Sequence, residues 1–296
     1  FDYTFNGSGT REINVGPIGG VQLGNNNVIE NRNRRPMLND DGTIIAAKTG
    51  TGGSTAKLNF WRYMTFTAGS DLSWNSIGNI DLDRDIGNYR MNKSGNRVVF
   101  GYSSKKVSVY EYNGDHYDPS WVQVGNTLEF PNNSAEYTID INNDGTMIVV
   151  GDQAFDLTVG STTTYNTGRV QVFELDTNNN WTQKGSDVVV GSAQNDAYGR
   201  QVSMNGDGSV VAFSWYGSAG GSVSIYKYNN STSAWEAKGG NLHGNISGDE
   251  LGGLNYSSYA GIELDDIGDV IALAARGADG AGGPSISQTG EAQIWE

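Results

Sequence analysis

One pattern recurs five times along the chain and limits the folds open to it. An apolar residue is followed by Asn or Asp, two further residues, a Gly and an apolar run. The fullest copy is Met204-Asn205-Gly206-Asp207-Gly208-Ser209-Val210-Val211-Ala212-Phe213; the others begin at Leu38, Met91, Ile141 and Leu264. The turn glycines Gly42, Gly95, Gly145, Gly208 and Gly268 stand 53, 50, 63 and 60 residues apart. Four short strands and their turns fit that period, which is the length of one propeller blade.

Each repeat divides into four strands, a to d from the inside outward. Strand a ends at Leu38, Met91, Ile141, Met204 or Leu264, and the next residue is Asn39, Asn92, Asn142, Asn205 or Asp265. A short polar side chain there can bond its own backbone two residues on, which closes the turn. Asp-Gly follows in three copies, a strong hairpin signal between apolar runs. Strand b is apolar on both faces, as in Met147 to Val150 and Val210 to Phe213. Such a strand needs cover on both sides, which neighbouring blades supply. Strand c alternates strictly, as in Val107-Ser108-Val109-Tyr110 and Val170-Gln171-Val172-Phe173. Period two argues strand and excludes helix.

Strand d opens on Trp and reaches Gly four residues later, at Trp74, Trp121, Trp181 and Trp235. That is four copies against five turns, and the fifth strand c, Ala292-Gln293-Ile294-Trp295, stops just short of Glu296. Near the other terminus Gly20-Val21-Gln22-Leu23-Gly24 matches Trp121-Val122-Gln123-Val124-Gly125, with Gly in place of Trp. The expected fold is therefore an all-β, five-bladed β-propeller of four-stranded antiparallel blades over residues 19–296. Residues 19–30 complete the last blade and hide its open edge. Residues 1–18 lie outside the repeat as an extension or linker with hairpin-like alternation.

Net charge is −14, from 33 acidic and 19 basic residues. A basic groove for nucleic acid is not expected, and neither is binding to an anionic membrane. The chain has no cysteine, which removes disulfides, thiolate metal sites and cysteine nucleophiles. No apolar run approaches the ~20 residues of a membrane helix. The chain begins at Phe1 without a signal-peptide pattern, as a processed product or a piece of something longer would.

The Asp-Gly hairpin, the Val-x-Val-Tyr type of strand c and the Trp-led strand d resemble a repeat of large marine bacterial, algal and viral surface or virion proteins. Tyr198-Gly199-Arg200-Gln201-Val202-Ser203 through Trp235 carries most of that pattern. Thr167 to Phe173 with Trp181-Thr182-Gln183-Lys184-Gly185 carries the rest. The resemblance spans residues 19–296 and implies a propeller; it implies no particular activity. A more distant likeness is to integrin-type propeller repeats, which hold calcium in an Asp-rich loop. Asn205-Gly206-Asp207-Gly208 looks like a remnant of that loop, but apolar Val210 and Val211 stand where later ligands would. Asp81-x-Asp83-x-Asp85 also lacks the Gly and Glu placement of a calcium loop. The expectation is that no cofactor is bound, Ca²⁺ being the one alternative.

No serine-hydrolase, zinc-protease or phosphate-loop pattern occurs. His116 and His243 lack a His partner at ligand spacing. One place before the apolar end of strand a stand Met37, Arg90, Asp140, Ser203 and Glu263. Arg90, Asp140 and Glu263 are thus candidates to face an axial channel, where they are expected to form an ion-paired ring. A pair of carboxylates across a channel is also what a glycosidase needs. The longer b-to-c loops, 152–168 and 275–290, should emerge at one end of the ring, where binding surfaces usually lie. Phe155, Tyr165, Trp215 and Tyr216 are the aromatic candidates there to stack on sugar or anchor a protein, with strand-end core packing the equal alternative for Trp215. These features lead to a non-enzymatic structural or binding module of a virion, as tail fibre or decoration, or of an extracellular surface assembly. Its partners would be other proteins of the assembly, or a cell-surface glycan or receptor. A carbohydrate-active enzyme or lectin using the axial channel is the alternative.

Overall fold

A computed structural model of the chain describes residues 2–5, 11–14, 36–49, 56–64, 73–82, 86–102, 105–114, 118–130, 137–216, 220–244, 250–253, 261–275 and 291–296. Every regular element among them is a β-strand. The segment 19–30, Asp83, Asp85, His116 and most of the 275–290 loop lie outside the described residues.

Strands β1 (Asp2–Phe5) and β2 (Arg11–Asn14) pair as an N-terminal hairpin. Five larger antiparallel sheets follow in chain order. Sheet one holds β3 (Met37–Leu38), β4 (Ile44–Thr49), β5 (Ala56–Met64) and β6 (Ser73–Leu82). Sheet two holds β7 (Ile86–Met91), β8 (Arg97–Tyr102), β9 (Lys106–Tyr112) and β10 (Trp121–Glu129). Sheet three begins with β11 (Thr138–Ile141) and β12 (Met147–Asp152), then carries a small hairpin, β13 (Leu157–Val159) with β14 (Thr162–Thr164). It continues with β15 (Arg169–Leu175), β16 (Trp181–Gln183) and β17 (Val189–Val190). Sheet four holds β18 (Val202–Met204), β19 (Val210–Trp215), β20 (Ser222–Asn229), β21 (Ala234–Ala237) and β22 (Leu242–His243). Sheet five has three strands, β23 (Ile262–Leu264), β24 (Ile271–Ala275) and β25 (Glu291–Trp295). The first strand of each sheet contributes to one common cavity, which is a propeller-type arrangement.

The recurring Asn makes its bond further along the chain than a local turn would. Its Oδ1 accepts the N–H five residues on, at the head of the second strand. The distances are 2.7 Å for Asn39, 2.9 Å for Asn92, and 2.8 Å for both Asn142 and Asn205. Asp265 does the same at 3.0 Å. The glycine that follows sits at φ between 71° and 77° in all five copies, a left-handed conformation that side chains resist. The Asn amide also donates forward to the next sheet, from Asn39 to Ser94 O and from Asn92 to Asn143 O, each at 3.2 Å. Asn205 reaches Asp266 O at 3.5 Å. Asp265 has no amide to donate.

The outer strands are joined in the opposite direction. The Nε1 of Trp121 donates to Ile77 O, that of Trp181 to Val124 O and that of Trp235 to Lys184 O, at 3.0, 2.9 and 3.0 Å. Each accepting carbonyl precedes the strand-d Gly of the previous sheet. The pairing register is constant too: Trp61 lies opposite Ser76, Tyr110 opposite Gln123, Phe173 opposite Gln183 and Tyr226 opposite Ala237.

Four hydrophobic clusters fill the spaces between successive sheets, from one and two through to four and five. The first-strand residue of each sheet packs towards the sheet before it, so Met91, Ile141, Met204 and Leu264 are buried. Leu38, their counterpart in sheet one, is 56% exposed. In sheet five Ala272 and Ala274 are exposed, and Ile294 is 75% exposed. The expectation that the second strand is covered on both faces therefore holds for β12 and β19 but not for β24, which alternates buried and exposed.

Candidate functional site

The axial cavity holds about 410 Å³ and runs between the first strands. Arg90 on β7, Asp140 on β11 and Glu263 on β23 all line it, as their spacing implied. They do not form the expected ion-paired ring, since no salt bridge joins them among the described residues. Arg90 Nη1 turns back on its own strand, to Asn88 Oδ1 and Tyr89 O at 3.3 Å each. Asp140 binds backbone instead: Oδ1 accepts the Ile141 N–H at 2.9 Å and Oδ2 the Met204 N–H of the next sheet at 2.8 Å. Ser203 repeats that step, its Oγ accepting the Leu264 N–H at 2.9 Å. These side chains therefore satisfy backbone donors that strand pairing leaves open at the axis.

Burial raises the Asp140 pKa above the usual carboxylate range, against the pull of Arg90 and the two backbone donors. Glu263 is pushed up to about 7, first by burial, then by the charge of Asp140, with Arg90 opposing. The residue itself is solvent-exposed where it lines the cavity. It has no hydrogen-bond partner among the described residues.

The turns converge at one end of this cavity. Lys93 of sheet two pairs with Asp266 of sheet five and lies 3.8 Å from Asp40 of sheet one. Asn143 Nδ2 donates to Asp266 Oδ1 at 3.1 Å, and the Gly206 N–H donates to Asp266 O at 2.9 Å. Asp207, in the stretch that looks like a calcium-loop remnant, is engaged inside its own turn by Asn205 and the Ser209 N–H. Asp81 pairs with Lys57 across β5 and β6 at 2.6 Å.

At the opposite end the four aromatic candidates separate into two kinds. Tyr165 and Tyr216 are 56% and 43% exposed. Phe155 is half-buried, with the Arg169 guanidinium 4.1 Å from its ring centre. Trp215 stacks on Tyr198 at 4.6 Å and 8°, and its Nε1 donates to Ser224 Oγ at 2.9 Å. These two are framework rather than free surface, because strand-end packing claims them. Sequence reasoning missed the loop that joins the other two. The Asn195 N–H donates to Tyr165 O at 3.1 Å, and the Tyr216 N–H to Asp196 O at 2.8 Å. The Asn166 amide meets Asn195 Oδ1 at 3.2 Å, while Arg200 covers one face of Tyr216 at 4.2 Å. Asn166, Asn195 and Ala197 all adopt positive φ, so this corner is held in a restricted conformation. His243 is engaged with Ser222 Oγ at 2.8 Å.

No family model matches the chain, and no curated protein matches it. Three solved structures are similar to it at a distance. One is a candidate 6-phosphogluconolactonase from Bacteroides fragilis, with 12% identity, a TM-score of 0.46, and coverage of 71% of this chain and 55% of that one. Another is a functionally unknown protein from Desulfotomaculum acetoxidans, with 13% identity, a TM-score of 0.49 and coverage of 81% and 64%. The third is a candidate 6-phosphogluconolactonase from Bacteroides uniformis, with 13% identity, a TM-score of 0.47 and coverage of 82% and 65%. The chain spans less than two thirds of each of these proteins.

Proposed function

We propose that this chain is a non-enzymatic attachment module, a five-bladed propeller in a virion or extracellular surface assembly. Its fifth blade is completed by residues 19–30. The loop end of sheets three and four binds a protein or glycan partner. The observation that carries the reading is the pair of exposed rings, Tyr165 and Tyr216, fixed on either side of Asn195-Asp196. Rigid, exposed tyrosines with amide groups between them suit sugar stacking or a protein anchor at little entropic cost. The resemblance to marine surface and virion repeats supports the same setting. The three-strand fifth sheet, with Ile294 and Trp295 exposed on its last strand, supports completion by another segment. Glycan-array and particle-binding assays with the Tyr165→Ala/Tyr216→Ala double variant test the site. A loss of tenfold or more is expected, and unchanged binding by a folded variant overturns it.

A carbohydrate-active enzyme or lectin using the axial channel is the second reading, favoured by the near-neutral pKa of Glu263. Against it stands Asp140, whose two oxygens already serve backbone donors. Hydrolysis of glycosides by the chain, abolished in Glu263→Gln, would establish this reading instead.

A further inference from the structure

The residue after each recurring Asn or Asp stands at the turn end of the axial cavity: Asp40, Lys93, Asn143, Gly206 and Asp266. Neutral hydrogen bonds join successive turns from sheet one to sheet five. The Asp40 N–H donates to Lys93 O at 3.2 Å, the Asn143 N–H to Gly206 O at 2.9 Å, and the Gly206 N–H to Asp266 O at 2.9 Å. The Asn92 amide covers the step from sheet two to sheet three. The step from sheet five back to sheet one is made differently. Among the described residues the Asp266 N–H makes no bond to the sheet-one turn, and Asp265 has no amide to send there. Lys93, the one cation among the five, reaches across instead: its amine pairs with Asp266 and lies 3.8 Å from Asp40. We propose that Lys93 is an ionic clasp that closes the ring between sheets five and one, and that this junction, unlike the other four, loosens as salt rises.

The chemistry of the contacts sets the difference. Asp40 and Asp266 bring two like charges to one amine, so without Lys93 they would repel across the junction. All three side chains are open to solvent, at 43% for Lys93, 65% for Asp40 and 58% for Asp266, so dissolved ions reach them. Screening shortens from about 10 Å at 0.1 M salt to about 3 Å at 1 M. The neutral bonds of the other junctions carry no net charge to screen. Lys93 is held above its ordinary pKa first by the bond to Asp266, and Asp266 below its own first by Lys93, so each keeps the other ionised. Asn143 Nδ2 also holds Asp266 Oδ1, at 3.1 Å, but it ties the turn to sheet three and leaves the approach to sheet one to Lys93. Exposed ion pairs contribute little each, so the clasp governs local opening rather than global stability. It acts at the axis, and holds whether or not residues 19–30 add a fourth strand at the rim.

Hydrogen–deuterium exchange on the full chain tests the proposal. It is read at the turns 39–45 and 264–270, with the turn 142–147 as internal reference. Raising NaCl from about 0.1 M to about 1 M should speed exchange at the first two turns about two- to fivefold relative to the reference. Lys93→Met should show the faster exchange already at low salt, with no further response to NaCl. Lys93→Arg should restore both the slow exchange and the salt response, which a role for the lysine stem in packing alone would not do. Should Lys93→Met fail to fold, the salt series on the unmodified chain and on Lys93→Arg decides. Three results would overturn the clasp: no salt response in the unmodified chain, an equal rise at 142–147, or a salt response that survives in Lys93→Met.

Discussion

The indole of Trp181 donates to the carbonyl of Val124 at 2.9 Å, crossing from sheet three to sheet two. Gly125 follows that carbonyl, and a methyl group placed there would lie 2.7 Å from the indole Cδ1. Tryptophan and glycine are thus two halves of one joint between neighbouring sheets, although each belongs to a different repeat.

Removing the donor should weaken that joint. Trp181→Phe leaves a buried carbonyl without its partner and should cost about 1 to 3 kcal/mol, read from urea denaturation. A glycine comparison isolates the contact. Gly42 and Gly125 have similar φ, 71° and 69°, but nothing lies within 4 Å of a methyl group at Gly42. Gly42→Ala should cost about 1 to 2 kcal/mol for the left-handed backbone alone. Gly125→Ala should cost clearly more.

The constant register locates the strand proposed to complete sheet five. Val124 pairs with Val109, whose counterpart in β25 is Ile294; the match of Leu23 to Val124 therefore puts Leu23 opposite Ile294. The chain has no cysteine, so an engineered pair reports cleanly. Leu23→Cys with Ile294→Cys should oxidise within one chain and raise the melting temperature. The offset pair Gly24→Cys with Ile294→Cys should not. Equal oxidation of both pairs would show that the register is not kept.

Exchanging the fifth turn residue for that of the others should act on one junction only. Asn205→Asp removes the donor to Asp266 O and sets a second carboxylate beside Asp207, a loss of about 1 to 3 kcal/mol at pH 7. Asp265→Asn keeps the acceptor for the Val270 N–H and adds an amide donor at that turn. Its stability should match or exceed that of the original chain in thermal melts.

Stability should pass through a maximum in mildly acidic solution. Asp144 and Asp207 are held below the usual 3.8 by bonds to Thr146 and Ser209, which outweigh burial. Depressed carboxylates stabilise above the unfolded pKa, and that contribution fades as pH falls through the folded value. Glu263 behaves oppositely: its folded value of about 7 exceeds the ordinary 4.5, so stability declines as pH rises between the two. Asp140 adds in the same direction. Melting temperature against pH should therefore peak near pH ~4 to 5, and Glu263→Gln should flatten the alkaline side.

The strands were legible because their signals are local. Val107-Ser108-Val109-Tyr110 alternates within four residues, and each Asn-x-x-Gly turn carries its own closure. The bonds between sheets were not, since Trp181 and Val124 are 57 residues apart in sequence. The hairpin of β13 and β14 interrupts the 152–168 loop, and its local signal is Gly160-Ser161 between β-branched residues. Axial placement of Arg90, Asp140 and Glu263 followed from counting one place back in each repeat. Their partners did not, because backbone donors at the axis have no signature in side-chain spacing. Phe155 and Tyr165 look alike as loop aromatics, and only the three-dimensional neighbour Arg169 distinguishes them.

The amide links run forward and the indole links backward, so the stack of sheets has a polarity. Its first member exposes Leu38 and its last exposes Ala272, Ala274 and Ile294; in the proposed closed ring these would be the two halves of one apolar contact. Two such ends meet by closing within a molecule or by joining head to tail between molecules, and the second route has no natural stop. A segment that seals this junction would then act as a terminator of polymerisation as well as a fourth strand.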